Sequence, residues 1–253
     1  MDPLTYKADD GVGIAYYEWN SDADGPPIVL QHGFTVGAVH NWVLNGTIEA
    51  ITSRGRRVIA LDARGHGQSD KPRDPARYGS ERLARDIIGL VDQLSIKTYD
   101  LVGYSMGATI AIHVAARDAR VRRLILSGAG AYLLDRANED GVFLSIGIAD
   151  ALAAEDPSAI TDLAGAWLRG HAESAGADLL ALSALARSSS QRLPLDAISV
   201  PTLVLVGDAD PFAGGAEHLA NAIASARLEF VPGDHVSTLQ NRLYAKLALA
   251  FLS

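Results

Sequence analysis

The sequence feature that most constrains the fold is a series of short apolar runs, each bounded by glycine, aspartate or proline. The runs lie at residues 27–30, 57–61, 99–102, 123–126, 202–206 and 228–231. Continuous apolar runs are typical of strands buried on both faces, because a strand with one solvated face alternates apolar and polar residues. Between the runs, apolar side chains recur at helical spacing in residues 80–94, 216–226 and 243–251. Repeated strand–helix units predict an open α/β sheet with helices on both faces.

Two further β-rich segments near the N-terminus predict a different connection. Residues 4–8 and 12–19 flank Asp9-Asp10-Gly11, a sequence typical of a tight turn between antiparallel strands. Together with the apolar runs, this hairpin leads us to expect a mostly parallel sheet of eight strands.

One long segment between two predicted strands lacks this alternation. Residues 131–193 contain alanine-rich helical patterns and no convincing strand. The segment predicts a small helical cap, inserted into a core formed by residues 1–130 and 194–253. The apolar underside of the cap is expected to come from Leu133, Phe143, Ile146, Leu152 and Trp167. Of these, Leu133, Phe143 and Trp167 are the expected substrate contacts.

Composition argues against several classes of function. The 253 residues include 22 basic and 30 acidic side chains, which gives a formal net charge of −8 and argues against nucleic-acid binding. The absence of cysteine removes disulfides, thiolate metal sites and a cysteine nucleophile. The N-terminal residues resemble no signal peptide, and no stretch approaches the roughly 20 apolar residues of a membrane span. We therefore expect a cytoplasmic monomer or small homo-oligomer with no membrane partner.

A glycine-flanked serine lies where a predicted strand meets a predicted helix. The pentapeptide Gly103-Tyr104-Ser105-Met106-Gly107 directly follows the run at residues 99–102 and opens the helix-like run at residues 108–116. In this context the G-x-S-x-G pattern predicts a nucleophile elbow. The turn is so tight that positions two residues to either side must lack bulk. A helix N-terminus beside the serine also favours a developing anion.

A serine nucleophile needs a base and an acid that orients the base. Of the seven histidines, His235 lies just after the last predicted strand, and Asp210 follows the strand before it. The resulting chain order Ser105, Asp210, His235 is typical of one family of serine hydrolases. Asp208 and Asp234 compete for the role of the acid, but Asp208 is better explained by turn formation. Asp234 adjoins the histidine in sequence and is poorly placed to reach its ring.

An anionic intermediate also requires backbone donors. The N–H group of Met106 is one expected donor, because this residue follows the nucleophile. Gly33 permits a sharp turn after an early strand that would direct the Phe34 N–H group inward as the second. Phe34 and Met106 are also expected to contact the substrate. His32 is expected to bond the loop backbone beneath this oxyanion hole.

Five motifs occur together in a fixed order. They are His32-Gly33-Phe34, a D-x-R-G-x-G-x-S segment at residues 62–69, the pentapeptide around Ser105, residues 207–211, and Gly233-Asp234-His235. Outside the cap, the set resembles the α/β-hydrolase superfamily, in its single-domain esterase, lactonase and perhydrolase branch. The resemblance implies the α/β-hydrolase fold and a Ser105–Asp210–His235 triad. It implies a structural role for residues 62–69 and neither a metal nor an organic cofactor.

The resemblance also narrows the chemistry. Epoxide hydrolases and haloalkane dehalogenases on this fold use an aspartate where Ser105 stands, so neither activity is expected. We expect a cofactor-independent serine hydrolase that cleaves small apolar carboxylic esters or lactones through an acyl-enzyme. Acyl-homoserine or enol lactones, carbon–carbon bond hydrolysis and perhydrolysis stay open as alternatives. A non-catalytic ligand receptor of the same fold is the alternative from a different class.

Overall fold

A computed structural model of the chain describes residues 2–136 and 141–253. Its strands are β1 (Leu4–Lys7), β2 (Gly13–Trp19), β3 (Ile28–Gln31), β4 (Val58–Leu61), β5 (Tyr99–Tyr104), β6 (Val121–Ser127), β7 (Gly141–Val142), β8 (Ser189–Ser190), β9 (Thr202–Gly207) and β10 (Ala226–Val231). Eight of them form one sheet in the order β1-β2-β4-β3-β5-β6-β9-β10. Strand β2 is antiparallel to both of its neighbours, and the remaining pairs are parallel. The predicted α/β fold with a mostly parallel sheet of eight strands is therefore confirmed.

The α-helices of the described residues are α1 (Thr47–Thr52), α2 (Ser80–Gln93), α3 (Met106–Ala115), α4 (Tyr132–Arg136), α5 (Ile146–Ala153), α6 (Leu163–Ser174), α7 (Leu179–Arg187), α8 (Ala216–Asn221) and α9 (Arg242–Leu252). In the part of the chain that is described, none of them is both long enough and apolar enough to span a bilayer. A five-residue π-helix at Val39–Val43 and several short 3₁₀ turns complete the list of helical elements.

The sheet separates two hydrophobic cores, which explains why its strands are continuously apolar. In β5, Leu101 belongs to the core that includes residues of α2, α3 and α8, whereas Val102 belongs to the core packed by α1 and α9. Val29 and Leu30 of β3 divide in the same way. Because successive side chains point to opposite faces, each strand needs apolar residues at every position.

Helix α2 illustrates how local sequence defines one covering element. Leu83, Ile87 and Leu90 recur at intervals of three to four residues, and all three are buried against the sheet. The helix begins after Gly79, whose φ of +118° is accessible to glycine. It ends before Ser95, whose φ of +53° breaks the helical path.

The segment between β6 and β9 is mainly helical and contains α4 to α7. Ser145, Asp162 and Asp178 accept hydrogen bonds from backbone N–H groups in the first turns of α5, α6 and α7. The expectation that this segment holds no strand was wrong, because β7 and β8 form a two-residue antiparallel pair. Such a short pair, with two serines on one side, carries no apolar run by which the sequence could reveal it.

Candidate active site

The carboxyl ends of the parallel strands share one edge of the sheet, and the expected functional residues follow them there. The loop containing His32 follows β3, Ser105 follows β5, Asp210 follows β9 and His235 follows β10. In open α/β sheets this edge is the usual location of binding and catalytic groups.

Ser105 occupies a strained turn between β5 and α3. Its φ of +55° and ψ of −115° are unfavourable for a residue with a side chain. The backbone is held by a 2.8 Å hydrogen bond from the Ser105 N–H group to the carbonyl of Ser127. A Cβ atom on Gly103 would lie 2.2 Å from the carbonyl oxygen of Gly107, and one on Gly107 would lie 2.2 Å from that of Gln31. The two flanking glycines are therefore required by close backbone contacts.

His235 and Asp210 form a directly bonded pair. The Nδ1 atom of His235 lies 3.0 and 2.9 Å from the two carboxylate oxygens of Asp210, whose side chain is fully buried. The carboxylate also accepts a 2.8 Å hydrogen bond from the Phe212 N–H group, which fixes its plane. Because the carboxylate accepts a hydrogen bond from Nδ1–H, the ring carries its proton on Nδ1, and Nε2 is left as a proton acceptor.

The two competing aspartates bond to backbone groups instead. Asp208 accepts a 3.0 Å hydrogen bond from the Gly233 N–H group. Asp234 accepts hydrogen bonds from the Ser237 and Val236 N–H groups at 2.8 and 2.9 Å. These bonds lower the pKa of Asp234. Both carboxylates therefore shape the loops that carry Asp210 and His235.

His32 orients the peptide group that contains the Phe34 N–H. Its Nε2 atom accepts a 2.8 Å hydrogen bond from the Ala63 N–H group, so the ring proton resides on Nδ1. The Nδ1–H group then donates to the Gly33 carbonyl oxygen at 2.7 Å. In a trans peptide the carbonyl and the following N–H point in opposite directions, so the Phe34 N–H points away from His32. Burial lowers the pKa of His32 and keeps the ring neutral.

His66 secures the other side of Phe34. Its Nε2–H group donates to the Phe34 carbonyl oxygen through a short hydrogen bond. Burial lowers the pKa of His66 to about 3, with a further contribution from the neighbouring His32, so this ring is also neutral.

Met106 is the first residue of α3, where an N–H group has no acceptor within the helix. The N–H groups of Phe34 and Met106 stay the two predicted donors to an oxyanion.

The remaining residues of the D-x-R-G-x-G-x-S segment act as structural supports. The guanidinium group of Arg64 is fully buried and bonds to both carboxylate oxygens of Asp86 at 2.7 and 2.6 Å. It also bonds to Asp10 at 2.8 Å. The carboxylate of Asp62 accepts hydrogen bonds from the Ala38 and Gln68 N–H groups. These contacts fix the loop whose backbone supports His32 and His66.

A cavity of about 530 Å³ opens at this edge and is lined by both Ser105 and His235. Four of the predicted substrate contacts line it: Phe34, Met106, Phe143 and Trp167. Among the lining residues that the structure describes, none is lysine, arginine, aspartate or glutamate, which favours an uncharged ligand. In the ranges that the structure describes, no group of three or more potential ligand side chains is arranged to hold a metal ion.

Three residues expected on the underside of the cap lie elsewhere. Leu133 and Leu152 are buried in the core that includes residues of α2, α3 and α8, and the side chain of Ile146 is about half exposed. Their neighbours Tyr132 and Ile148 line the cavity instead. Helices α4 and α5 contact the core on one side and the cavity on the other, so their rotation about the helix axis decides which residues face the cavity.

Several cavity residues were not predicted from the sequence. His171 of α6 is hydrogen-bonded through Nδ1 to the Thr35 hydroxyl at 2.5 Å, and Trp167 stacks on its ring with centroids 5.7 Å apart. Burial lowers the pKa of His171 and favours its neutral form. The other unpredicted lining residues include His40, Asn41, Tyr104, Leu144, Leu168, Phe212, Val236 and Leu239. His171 and its partner Thr35 are 136 positions apart in the sequence, so no local motif could identify the pair.

Comparisons with known proteins agree with this architecture. The family profile of the α/β-hydrolase fold matches residues 26–161. The chain is 29% identical to a non-heme haloperoxidase of Rhodococcus erythropolis over 89% of its own length and 90% of that protein. It is 41% identical to a 2-hydroxy-6-oxo-2,4-heptadienoate hydrolase of Pseudomonas putida over 42% of its length and 38% of that protein.

Solved structures show the same overall fold. An enol-lactonase from Burkholderia xenovorans superimposes with a TM-score of 0.78 at 24% identity, covering 98% of this chain and 99% of that one. A meta-cleavage product hydrolase from Pseudomonas fluorescens gives a TM-score of 0.68 at 26% identity, with 98% and 96% coverage. With the sheet order, the elbow at Ser105 and the family profile in agreement, the chain belongs to the α/β-hydrolase family.

Proposed function

We propose that this protein is a cofactor-independent serine hydrolase that cleaves small apolar carboxylic esters or lactones through an acyl-enzyme. The observation that carries the proposal is the strained Ser105 on the same cavity as His235, whose ring is held by the buried Asp210. A serine at such a turn has little purpose in a purely structural strand–helix connection, because strained backbone is costly to maintain.

In the proposed mechanism, the Ser105 Oγ atom attacks the substrate carbonyl carbon while its proton passes to Nε2 of His235. The carbonyl oxygen becomes an oxyanion and accepts hydrogen bonds from the Phe34 and Met106 N–H groups. When the carbon–oxygen bond breaks, the protonated His235 gives its proton to the leaving alkoxide. Water, deprotonated by His235, then attacks the acyl carbon. The bond to Ser105 breaks, the protonated His235 returns the proton to the Ser105 oxygen, and the acid is released.

The cavity supports an uncharged and fairly apolar substrate. Its volume suits a small molecule. Aromatic side chains from the core and from the segment 131–193 line it. Burial lowers the pKa of His171, which favours the neutral form of this lining ring. We propose that this segment is the cap and that Phe143 and Trp167 contact the acyl or ring portion of the substrate.

The test is acid release in a pH-stat over short alkyl esters, γ-lactones and acyl-homoserine lactones, for the wild type and Ser105→Ala. We expect Ser105-dependent turnover of at least one of these classes, and loss of about 10³-fold or more in the variant. A preference for lactones would assign ring recognition to the cavity, and a preference for open-chain esters would assign a general carboxylesterase. Equal rates in the two proteins would refute the proposal.

Carbon–carbon bond hydrolysis is the second candidate. The observation in its favour is the likeness to two hydrolases of that chemistry, one of them 41% identical over 106 residues. A vinylogous diketone offers the same electrophilic carbonyl carbon to Ser105, with a carbanion instead of an alkoxide as the leaving group. Loss of the dienol chromophore of such a substrate, with no acid release from the ester and lactone panel, would favour this candidate.

A further inference from the structure

The proposed base lies on a loop, so its position depends on how that loop is anchored. His235 lies between β10 and a 3₁₀ turn at Ser237–Gln240. Its partner Asp210 also lies on a loop, after β9. In the sheet, β6 lies between β5 and β9, and Ser105 directly follows β5. Bonding to Asp210 therefore orients the ring of His235 without tying it to the nucleophile.

The residue that precedes Ser105 connects the turn at Ser105 directly to the loop that carries His235. Tyr104 is the last residue of β5, and its hydroxyl donates a 2.6 Å hydrogen bond to the backbone carbonyl oxygen of His235. The rings of Tyr104 and His235 also contact each other, with centroids 5.3 Å apart. On its other side, the Tyr104 ring meets Trp42 edge-on at 6.3 Å, which limits its rotation.

Gly128 provides the space in which these two rings meet. It follows β6, the strand next to β5, and has a φ of +60°. A Cβ atom at this position would lie 3.0 Å from the Tyr104 ring and 3.0 Å from Cε1 of His235. Any larger residue would therefore press on both rings at once. Because Gly128 has no side chain, the Tyr104 and His235 rings can both pack close to its backbone.

We propose that Tyr104 is a positioning residue for His235, which fixes the base relative to the nucleophile by joining the His235 backbone to the Ser105 elbow. The expected effect of Tyr104 on catalysis rests on the proposed function, whereas its role in holding the loop of His235 does not. Since Tyr104 and Ser105 are consecutive, any movement of the elbow carries the anchor of the base with it. The two-residue segment Tyr104–Ser105 therefore holds both the nucleophile and the contact that positions the imidazole.

Burial raises the pKa of the Tyr104 phenol well above its ordinary value. The hydroxyl therefore remains protonated and able to donate throughout the pH range in which a serine hydrolase operates. The anchor is a fixed structural element rather than a titrating one.

The experiment compares Tyr104→Phe with Tyr99→Phe. Tyr104→Phe removes the hydroxyl and keeps the ring that packs on His235 and Trp42. Tyr99→Phe is the matched control, because Tyr99 begins the same strand and is also buried, but its hydroxyl bonds to Asp118 at 3.0 Å. Both variants lose one buried hydroxyl hydrogen bond, so the melting temperature alone should not distinguish them.

Two readouts separate positioning from general stability. With the best ester or lactone, we expect Tyr104→Phe to lower kcat by about 10- to 100-fold and to leave KM within about threefold, because a displaced base impairs proton transfer more than binding. Hydrogen exchange should become faster in residues 232–241 of Tyr104→Phe. Tyr99→Phe should show neither effect.

The outcomes are distinct for the two proposals. A kcat within twofold of wild type in Tyr104→Phe, or an equal loss in Tyr99→Phe, would overturn the positioning role. Unchanged exchange in residues 232–241 would overturn it as well. If the wild type itself shows no Ser105-dependent turnover, the proposed function fails, and faster exchange of that loop would still support the anchor.

Discussion

Among single residues, the pairing of Asp210 with His235 is the interaction on which the proposed base depends most directly. The carboxylate is buried, bonds to Nδ1 and leaves Nε2 to receive a proton. Asp208 lies two residues earlier, but its carboxylate bonds to the Gly233 backbone. The two aspartates therefore offer a direct comparison between a carboxylate proposed to orient His235 and one that stabilises a turn.

Replacing Asp210 by asparagine should lower kcat by about 10³- to 10⁴-fold. The amide can donate a hydrogen bond to Nδ1, which would favour the tautomer with its proton on Nε2 and leave no acceptor for the Ser105 proton. Steady-state kinetics with the best substrate of the panel would measure the effect. Asp208→Asn keeps an oxygen that can accept the Gly233 hydrogen bond, so its kcat should stay within about threefold of wild type. Similar losses in both variants would contradict the assignment.

That Asp210 and His235 follow β9 and β10 at the same edge of the sheet could be predicted from the sequence, because strand ends and turn residues are local features. The lining of the cavity could not be predicted in the same way. Thr35 and His171 meet only in the folded chain, and neither lies in a sequence pattern that identifies the other. Leu133 was expected to face the substrate but is buried in the core, because the direction of a short helix is set by tertiary packing.

Among the structural elements, the strand–turn–helix unit around Ser105 has the tightest steric requirements. Gly107 lies in the first turn of α3, where a Cβ atom would overlap the backbone carbonyl of Gln31. The clash involves two backbone segments of the central sheet and helix, so neither side can rotate away. The G-x-S-x-G pattern predicted this unit correctly because its glycines report backbone proximity directly.

Gly107→Ala should lower the free energy of unfolding by about 3 kcal/mol, measured by urea denaturation. Gly170→Ala is the control, because Gly170 is an exposed residue within α6, and no described atom outside the neighbouring backbone of its own helix lies within 4 Å of an added Cβ. Alanine is favoured over glycine within a helix, so this change should raise the free energy of unfolding by roughly 0.5–1 kcal/mol. A Gly107→Ala protein as stable as wild type would show that the packing around the elbow is looser than described.

In the whole molecule, two neutral histidines are buried beneath the loops of the site. The rings of His32 and His66 lie 4.9 Å apart, and burial lowers the pKa of both. An unfolded chain would protonate these rings near pH 6.5, whereas the folded chain resists protonation. At pH values between the pKa of the folded state and that of the unfolded state, the unfolded chain binds more protons. The free energy of unfolding therefore falls as the pH falls through this range.

For His66 alone, this linkage should remove roughly 2 kcal/mol of stability between pH 7.5 and pH 5.0. The measurement is the free energy of unfolding by urea at both pH values, for wild type and His66→Gln. Glutamine keeps an N–H donor for the Phe34 carbonyl but does not titrate. The variant should be less stable at both pH values, yet its loss on acidification should be smaller by about 2 kcal/mol. An equal pH dependence in the two proteins would mean that His66 is not held neutral by the fold.

The central claim is that Ser105 is the nucleophile of a hydrolase, and covalent labelling tests it most directly. The folded protein would be treated with a fluorophosphonate, and the modified peptide would be identified by mass spectrometry. We predict a single adduct on Ser105, with no labelling in Ser105→Ala and much slower labelling in His235→Ala. An unlabelled wild-type protein, or equal labelling of the wild type and Ser105→Ala, would contradict the claim.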